Sequence, residues 1–131
     1  MGASNLSDVC VGIVDDDESI RRSVARLLRA AGMHAITYAS AEAFRADNEP
    51  PHFDCLVLDV QLPRISGIDL RNQLAAEGSA TPVLFVTAFD DTTALDGAMA
   101  GPCAGVFRKS DAGIGFLDAI RRIVALPPSG P

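Results

Sequence analysis

Four apolar runs in this chain each lead into a side chain suited to phosphoryl chemistry. Val9-Cys10-Val11-Gly12-Ile13-Val14 leads into Asp15-Asp16-Asp17, and Cys55-Leu56-Val57-Leu58 into Asp59. Pro82-Val83-Leu84-Phe85-Val86 leads into Thr87, and Ala104-Gly105-Val106-Phe107-Arg108 into Lys109. If the runs are parallel strands, their carboxyl ends share one sheet edge, the edge where open α/β sheets bind ligands. Asp15, Asp16 and Asp59 gathered there would repel one another, by about 1 kcal/mol per pair at ~4 Å in water and about 4 at an effective dielectric of 20. A divalent cation relieves that repulsion. Mg²⁺, or another such as Mn²⁺, suits the set, because it accepts one or two carboxylates and completes its octahedron with water and phosphate oxygens. Asp59 then reads as a nucleophile able to form an aspartyl phosphate. The Lys109 ammonium and the Thr87 hydroxyl would meet the transferred group, and Ala88 leaves room for it to enter. Asp17 and Asp90-Asp91 read instead as helix N-caps.

The elements that must position these residues are written in the spacing of apolar positions. Over residues 18–31, Ile20, Val24, Leu27, Leu28 and Ala31 recur at helical intervals, and Gly32 ends the helix. His34-Ala35-Ile36-Thr37-Tyr38 reads as an edge strand. Ser40 caps a short helix to residue 46, closed by Pro50-Pro51. Further helices are expected over 68–77, stopped by Gly78, over 92–100, weakened by Gly97, and over 111–125 with Asp111 as N-cap. Strands alternating with helices predict βαβ units with right-handed crossovers. The expected fold is α/β, a five-stranded parallel sheet, doubly wound, in a single domain. Residues 1–8 read as a tail, and Pro127-Pro128-Ser129-Gly130-Pro131 as a tail or the start of a linker.

Composition narrows the function classes. A length of 131 residues suits one domain, and a hydrophobic content of 48% supports a core. The net charge of −6 argues against nucleic-acid binding by this chain, which needs Lys and Arg to neutralise phosphates. No apolar run approaches the roughly 20 residues of a membrane span. The N-terminus is no secretory signal, so a cytoplasmic location is the default expectation. Cys10, Cys55 and Cys103 lack metal-ligand spacing, and two fall in predicted strands, where Cys behaves as a small buried hydrophobe. Cys10 and Cys55 would be neighbours if their strands pair.

Together these motifs resemble the receiver domain of bacterial response regulators, the CheY-like superfamily. The resemblance is carried by Ile13-Val14-Asp15-Asp16-Asp17 and by Leu56-Val57-Leu58-Asp59-Val60-Gln61-Leu62-Pro63-Arg64-Ile65-Ser66-Gly67. Pro82 to Ala88 and Phe107-Arg108-Lys109 complete it, and it spans residues 9–125. Asp15-Asp16-Asp17, Arg21-Arg22-Ser23 and the segment Tyr38 to Phe44 are most similar to the FixJ-type subgroup. The resemblance implies a phosphoryl group accepted on Asp59 from a sensor histidine kinase. It implies Mg²⁺ bound by Asp16 and Asp59 directly, by Asp15 through water and by the Gln61 backbone carbonyl. Thr87 and Lys109 match the signalling hydroxyl and lysine. An output domain beyond this chain and a phosphorylation-dependent homodimer are further implications. The chain departs from the family's pattern at Ser110, where proline is usual, at Val106, where an aromatic is usual, and at Pro102.

Other functions make different demands. A haloacid dehalogenase-like phosphatase wants a second Asp two residues after the nucleophile, where Gln61 stands, and a cap domain. A flavodoxin-like carrier wants a hydroxyl-rich phosphate loop after the first strand, where Asp15-Asp16-Asp17 stands. A receiver-like interaction module working without phosphorylation is the remaining alternative, motivated by Ser110 and Val106.

Overall fold

The computed structural model describes residues 8–88, 92–109 and 114–125. Strands β1 (Cys10–Val14), β2 (His34–Tyr38), β3 (Cys55–Asp59), β4 (Val83–Thr87) and β5 (Gly105–Arg108) alternate with helices. The helices are α1 (Glu18–Ala30), α2 (Ala41–Ala46), α3 (Gly67–Ala76), α4 (Thr92–Met99) and α5 (Ile114–Ala125). All pairings are parallel, in the order β2-β1-β3-β4-β5. β3 and β4 are buried along their whole length, so their sequences are unbroken apolar runs rather than alternating ones. β2 lies at an edge, as expected, and of its residues only Ala35 is buried.

Strand side chains divide between two cores by simple alternation. Val11, Ile13, Cys55, Val57, Leu84, Val86 and Phe107 face α1 and α5. Leu56, Leu58, Phe85 and Val106 face α2, α3 and α4. Covering both faces is what makes the sheet doubly wound. The chain leaves β1 toward β2 and then returns to pair β3 on the other side of β1. The strand order therefore reverses between β1 and β3, and a crevice opens at their carboxyl ends.

The ends of the helices follow local chemistry. Asp17 caps α1, accepting from the Ser19 and Ile20 amides. Ala31 closes that helix, and Gly32 follows at φ 92°. Ser40 caps α2, and this helix stops at Ala46, as expected, ahead of Pro50-Pro51. The backbone turns extended at Asp47, whose carboxylate takes the Tyr38 hydroxyl at 2.6 Å and the Glu49 amide at 3.1 Å. α3 starts at Gly67 and carries a capping box in which Ser66 and Asp69 bond each other's backbone amides. The expected caps Asp90, Asp91 and Asp111 lie outside the described residues, as does Ser110.

One expectation about the cysteines is corrected. β1 and β3 do pair, but Cys55 is opposite Val11. Cys10 packs against the α2–α4 side and Cys55 in the α1–α5 core, so alternation sends their thiols to opposite faces. Burial pushes the Cys55 thiol up to about 12, which keeps it an inert hydrophobe. Cys10, Cys55 and Cys103 are all free. No described helix is long and apolar enough to cross a membrane.

Candidate functional site

At the end of β1 the run of three aspartates divides its labour. Asp17 turns outward to cap α1, while Asp15, only 1% exposed, turns into the crevice. Backbone contacts lock this turn. The Asp15 amide donates to the Tyr38 carbonyl at 3.1 Å, the Asp17 amide to Asp15 Oδ1 at 2.8 Å, and Arg21 Nη1 to the Asp15 carbonyl at 2.8 Å. Asp16 sits between them, exposed at the rim.

β3 delivers Asp59 to the other wall of the crevice, 2% exposed. Its Oδ1 accepts the Gln61 amide at 3.0 Å, so Gln61 is tied to the site through its backbone. The loop that follows is drawn tightly onto the strand. The Val60 amide donates to Val86 at 2.9 Å, and the Gly67 amide returns to the Val60 carbonyl at 3.1 Å. A Cβ at Gly67 would stand 2.0 Å from the Asp59 carbonyl oxygen, so only glycine admits this approach.

The carboxylates of Asp15, Asp16 and Asp59 each offer an oxygen, and these oxygens lie within 4.8 Å of one another. Lys109 reaches in from the end of β5. Its Nζ donates to Asp59 Oδ2 at 3.0 Å and to Asp15 Oδ1 at 3.2 Å. Three carboxylates against one ammonium leave a formal charge of −2 (−3 + 1) in the crevice. Asp15 Oδ2 is buried without a hydrogen bond, its ion-pair partner being the Lys109 ammonium at 3.1 Å. Excess negative charge on oxygen ligands is what a hard divalent cation takes up.

The charges feel one another. Burial, and then the Asp15 carboxylate, pushes the Asp59 carboxyl up to about 6, against the pull of Lys109 and the Gln61 amide. For Lys109 burial acts downward, but its bonds to Asp59 and Asp15 outweigh that and leave the ammonium above the usual lysine range. Thr87 ends β4 beside this cluster, 6% exposed, one residue past Val86, the register partner of Asp59. Thus Asp15, Asp16 and Asp59 converge, Lys109 bonds two of them, Gln61 adjoins Asp59, and Thr87 ends the neighbouring strand.

Sequence reasoning overlooked Arg21 as a brace for Asp15 and the close packing of Gly67 on Asp59. The Ser66-x-x-Asp69 spacing signals only where α3 starts, not how closely Gly67 packs on Asp59. Nothing in the spacing signalled the first.

Fold and site together define a doubly wound α/β domain with an acidic trio and an ammonium at its switch point. The model for the response regulator receiver domain matches residues 11–121, and the chain belongs to that family. It is 34% identical over 110 residues to Nodulation protein W of Bradyrhizobium diazoefficiens, covering 84% of this chain and 48% of that protein. Among solved structures, a response regulator receiver protein from Burkholderia phymatum is 35% identical with a TM-score of 0.80, covering 92% of this chain and 98% of that one. The FixJ-N crystal structure is 29% identical with a TM-score of 0.83, covering 93% and 98%. The similarity to FixJ-type receivers expected from the sequence is therefore present. The chain spans about half the length of the curated relatives it matches.

Proposed function

We propose that this receiver domain is operated by phosphorylation of Asp59. The observation that carries the reading is the approach of the Asp15, Asp16 and Asp59 carboxylates to within 4.8 Å, with Lys109 Nζ 3.0 Å from Asp59. An Asp59 carboxylate oxygen attacks the phosphorus of a phosphohistidine on a sensor kinase. The new O–P bond forms as the N–P bond breaks, and the imidazole leaves and takes a proton from solvent. Asp15, Asp16, Asp59 and the Gln61 backbone carbonyl would hold Mg²⁺ or a similar cation such as Mn²⁺. That ion supplies neutralisation of the incoming phosphoryl oxygens. Lys109 exchanges its bond to Asp59 for one to a phosphoryl oxygen, and the Thr87 hydroxyl donates to another.

The same chemistry gives the phosphorylated state its preference. Added charge and acceptor oxygens draw Thr87 and Lys109 inward, and the equilibrium of the surrounding loops shifts by no more than that differential interaction. The domain comprises residues 9–125, works in the cytoplasm, and passes its state to an output domain or a second copy. The curated relatives have length for such a further domain.

Titration with beryllofluoride and Mg²⁺, followed by ¹⁹F NMR, tests the reading. A bound resonance that disappears in Asp59→Asn and on adding EDTA is expected. Its absence in the wild type would overturn the proposal and leave an interaction module that works without phosphorylation.

A further inference from the structure

Arg71 is among the largest fully buried side chains in the protein, at 2% exposure. Burying a guanidinium costs free energy unless its donors are matched. Here they are matched by neutral oxygens. Nη1 donates to the Ala98 carbonyl at 2.7 Å and the Pro102 carbonyl at 2.9 Å, Nη2 to the Gly97 carbonyl at 2.9 Å, and Nε to Asn72 Oδ1 at 2.8 Å. Its Cζ lies 5.3 Å from the centre of the Phe85 ring. Gly97, Ala98 and Pro102 lie at and just beyond the C-terminal end of α4, where helix carbonyls lack partners and a positive charge is favoured. α4 has no basic residue in its own last turn. The cation that its C-terminus wants is supplied from α3.

The neighbourhood is cut to fit. A Cβ at Gly101 would lie 2.9 Å from Arg71 Cζ and 3.0 Å from Nη2. A Cβ at Gly97 would meet Ile68 Cδ1 at 2.9 Å, so α4 lies close on α3 only because that position is bare. At the other end of α3, Gly67 rests on the Asp59 carbonyl, and Arg71 follows at i+4 on the same helix face.

We propose that Arg71 is an internal clamp through which α3 holds the C-terminal end of α4 and the α4–β5 connection, tying their position to the Asp59 loop. Arg71 is a positioning residue, since it touches neither the carboxylates nor Lys109. Its coupling to phosphorylation rests on the function proposed above, while the clamp itself does not.

The test is amide hydrogen exchange, resolved by residue, on wild type, Arg71→Met, Arg71→Lys, Gly101→Ala and the double variant Arg71→Met/Gly101→Ala. In Arg71→Met, exchange in α4 and β5 is expected to rise by about tenfold or more, while β1 and β3 stay within about twofold of wild type. Gly101→Ala crowds the guanidinium without removing it and reproduces the effect. In the Arg71→Met background the same alanine adds nothing, since it has no guanidinium left to displace. Arg71→Lys, with donors but no planar fork, falls between. Unchanged α4 protection in Arg71→Met, or a Gly101→Ala effect that persists without Arg71, would overturn the clamp. Should Arg71→Met not fold, Gly101→Ala and Arg71→Lys carry the comparison.

The coupling is read by repeating the exchange with Mg²⁺ and beryllofluoride. Wild type is expected to change α4 protection, and Arg71→Met to show the bound ¹⁹F resonance without that change. An equal α4 response in both overturns the coupling. If no ¹⁹F resonance appears in wild type, the phosphorylation reading has failed, and the exchange data without beryllofluoride still decide the clamp.

Discussion

Asp59 pays for its position in the currency of charge. Its carboxyl is raised from 3.8 to about 6, chiefly by burial and then by Asp15. A group raised in the folded state binds its proton more tightly there than in the unfolded chain. Its stabilising contribution is full below the unfolded value and is lost as pH rises through about 6. Metal-free wild type should therefore gain stability, relative to Asp59→Asn, as pH falls from 7 toward 4. At pH 7 Asp59→Asn should be the more stable by about 1 kcal/mol, with the shift discounted for solvent screening at the open rim of the crevice. Urea titrations in EDTA at both pH values check this, and equal pH dependence in the two proteins would refute it. Divalent metal should reverse the order. Saturating Mg²⁺ stabilises wild type by about 2.7 kcal/mol at a hundredfold excess over its Kd, and Asp59→Asn by much less, as thermal unfolding would report. At this scale the sequence was informative where a residue's type alone betrays its chemistry. Asp, Thr and Lys ending apolar runs stand out. Arg71 and Arg21 do not, because an arginine in a helix looks the same whether it meets water or a backbone carbonyl. Only packing makes the distinction.

Elements hold the site through their ends. The loop from Asp59 to α3 is closed by Gly67 on one side and by the Ser66–Asp69 capping box on the other. Gly67→Ala forces a methyl group against the Asp59 carbonyl and should cost about 2–4 kcal/mol, by the usual scale of severe overpacking. Ser66→Ala removes one cap bond and should cost only about 1 kcal/mol. Denaturant midpoints of the two variants measure the difference, and a mild Gly67→Ala would show that the loop can relax away from Asp59. Strand and helix existence was legible because the apolar spacing changes period from element to element. Boundaries were less so. α3 runs over Gly67–Ala76 rather than 68–77, because Ser66 and Asp69 form its capping box, and α2 ends at Ala46 as expected but through Asp47, which meets the Tyr38 hydroxyl and the Glu49 amide by bonds that leave no trace in spacing. The same limit applies to β5. Alternation sends Phe107 to the α5 side, edge-on to Phe116 at 5.7 Å between centroids, and Val106 to the side of α3 and α4. An aromatic ring is thus on the strand but on the opposite face from α4.

For the whole molecule, the order β2-β1-β3-β4-β5 converts four separate strand ends into one crevice. A doubly wound parallel sheet was expected from βαβ handedness, and it creates two cores of different make-up. The α1–α5 core is continuous across all five strands except at their rims. Ile120→Ala, at 0% exposure within it, should cost about 3 kcal/mol, whereas Ile36→Ala on the edge strand, 37% exposed, should stay within about 0.5. The opposite core carries α3 and α4, and beside its apolar side chains lie Gly97, Gly101 and the buried Arg71 guanidinium. The central claim concerns the crevice that both cores support. Intact mass after incubation with acetyl phosphate and Mg²⁺, beside Asp59→Asn and an EDTA control, tests it most directly. The account predicts a single phosphoryl adduct on wild type, absent from Asp59→Asn and from the EDTA sample. An adduct that persists in Asp59→Asn, or none on wild type, would contradict it.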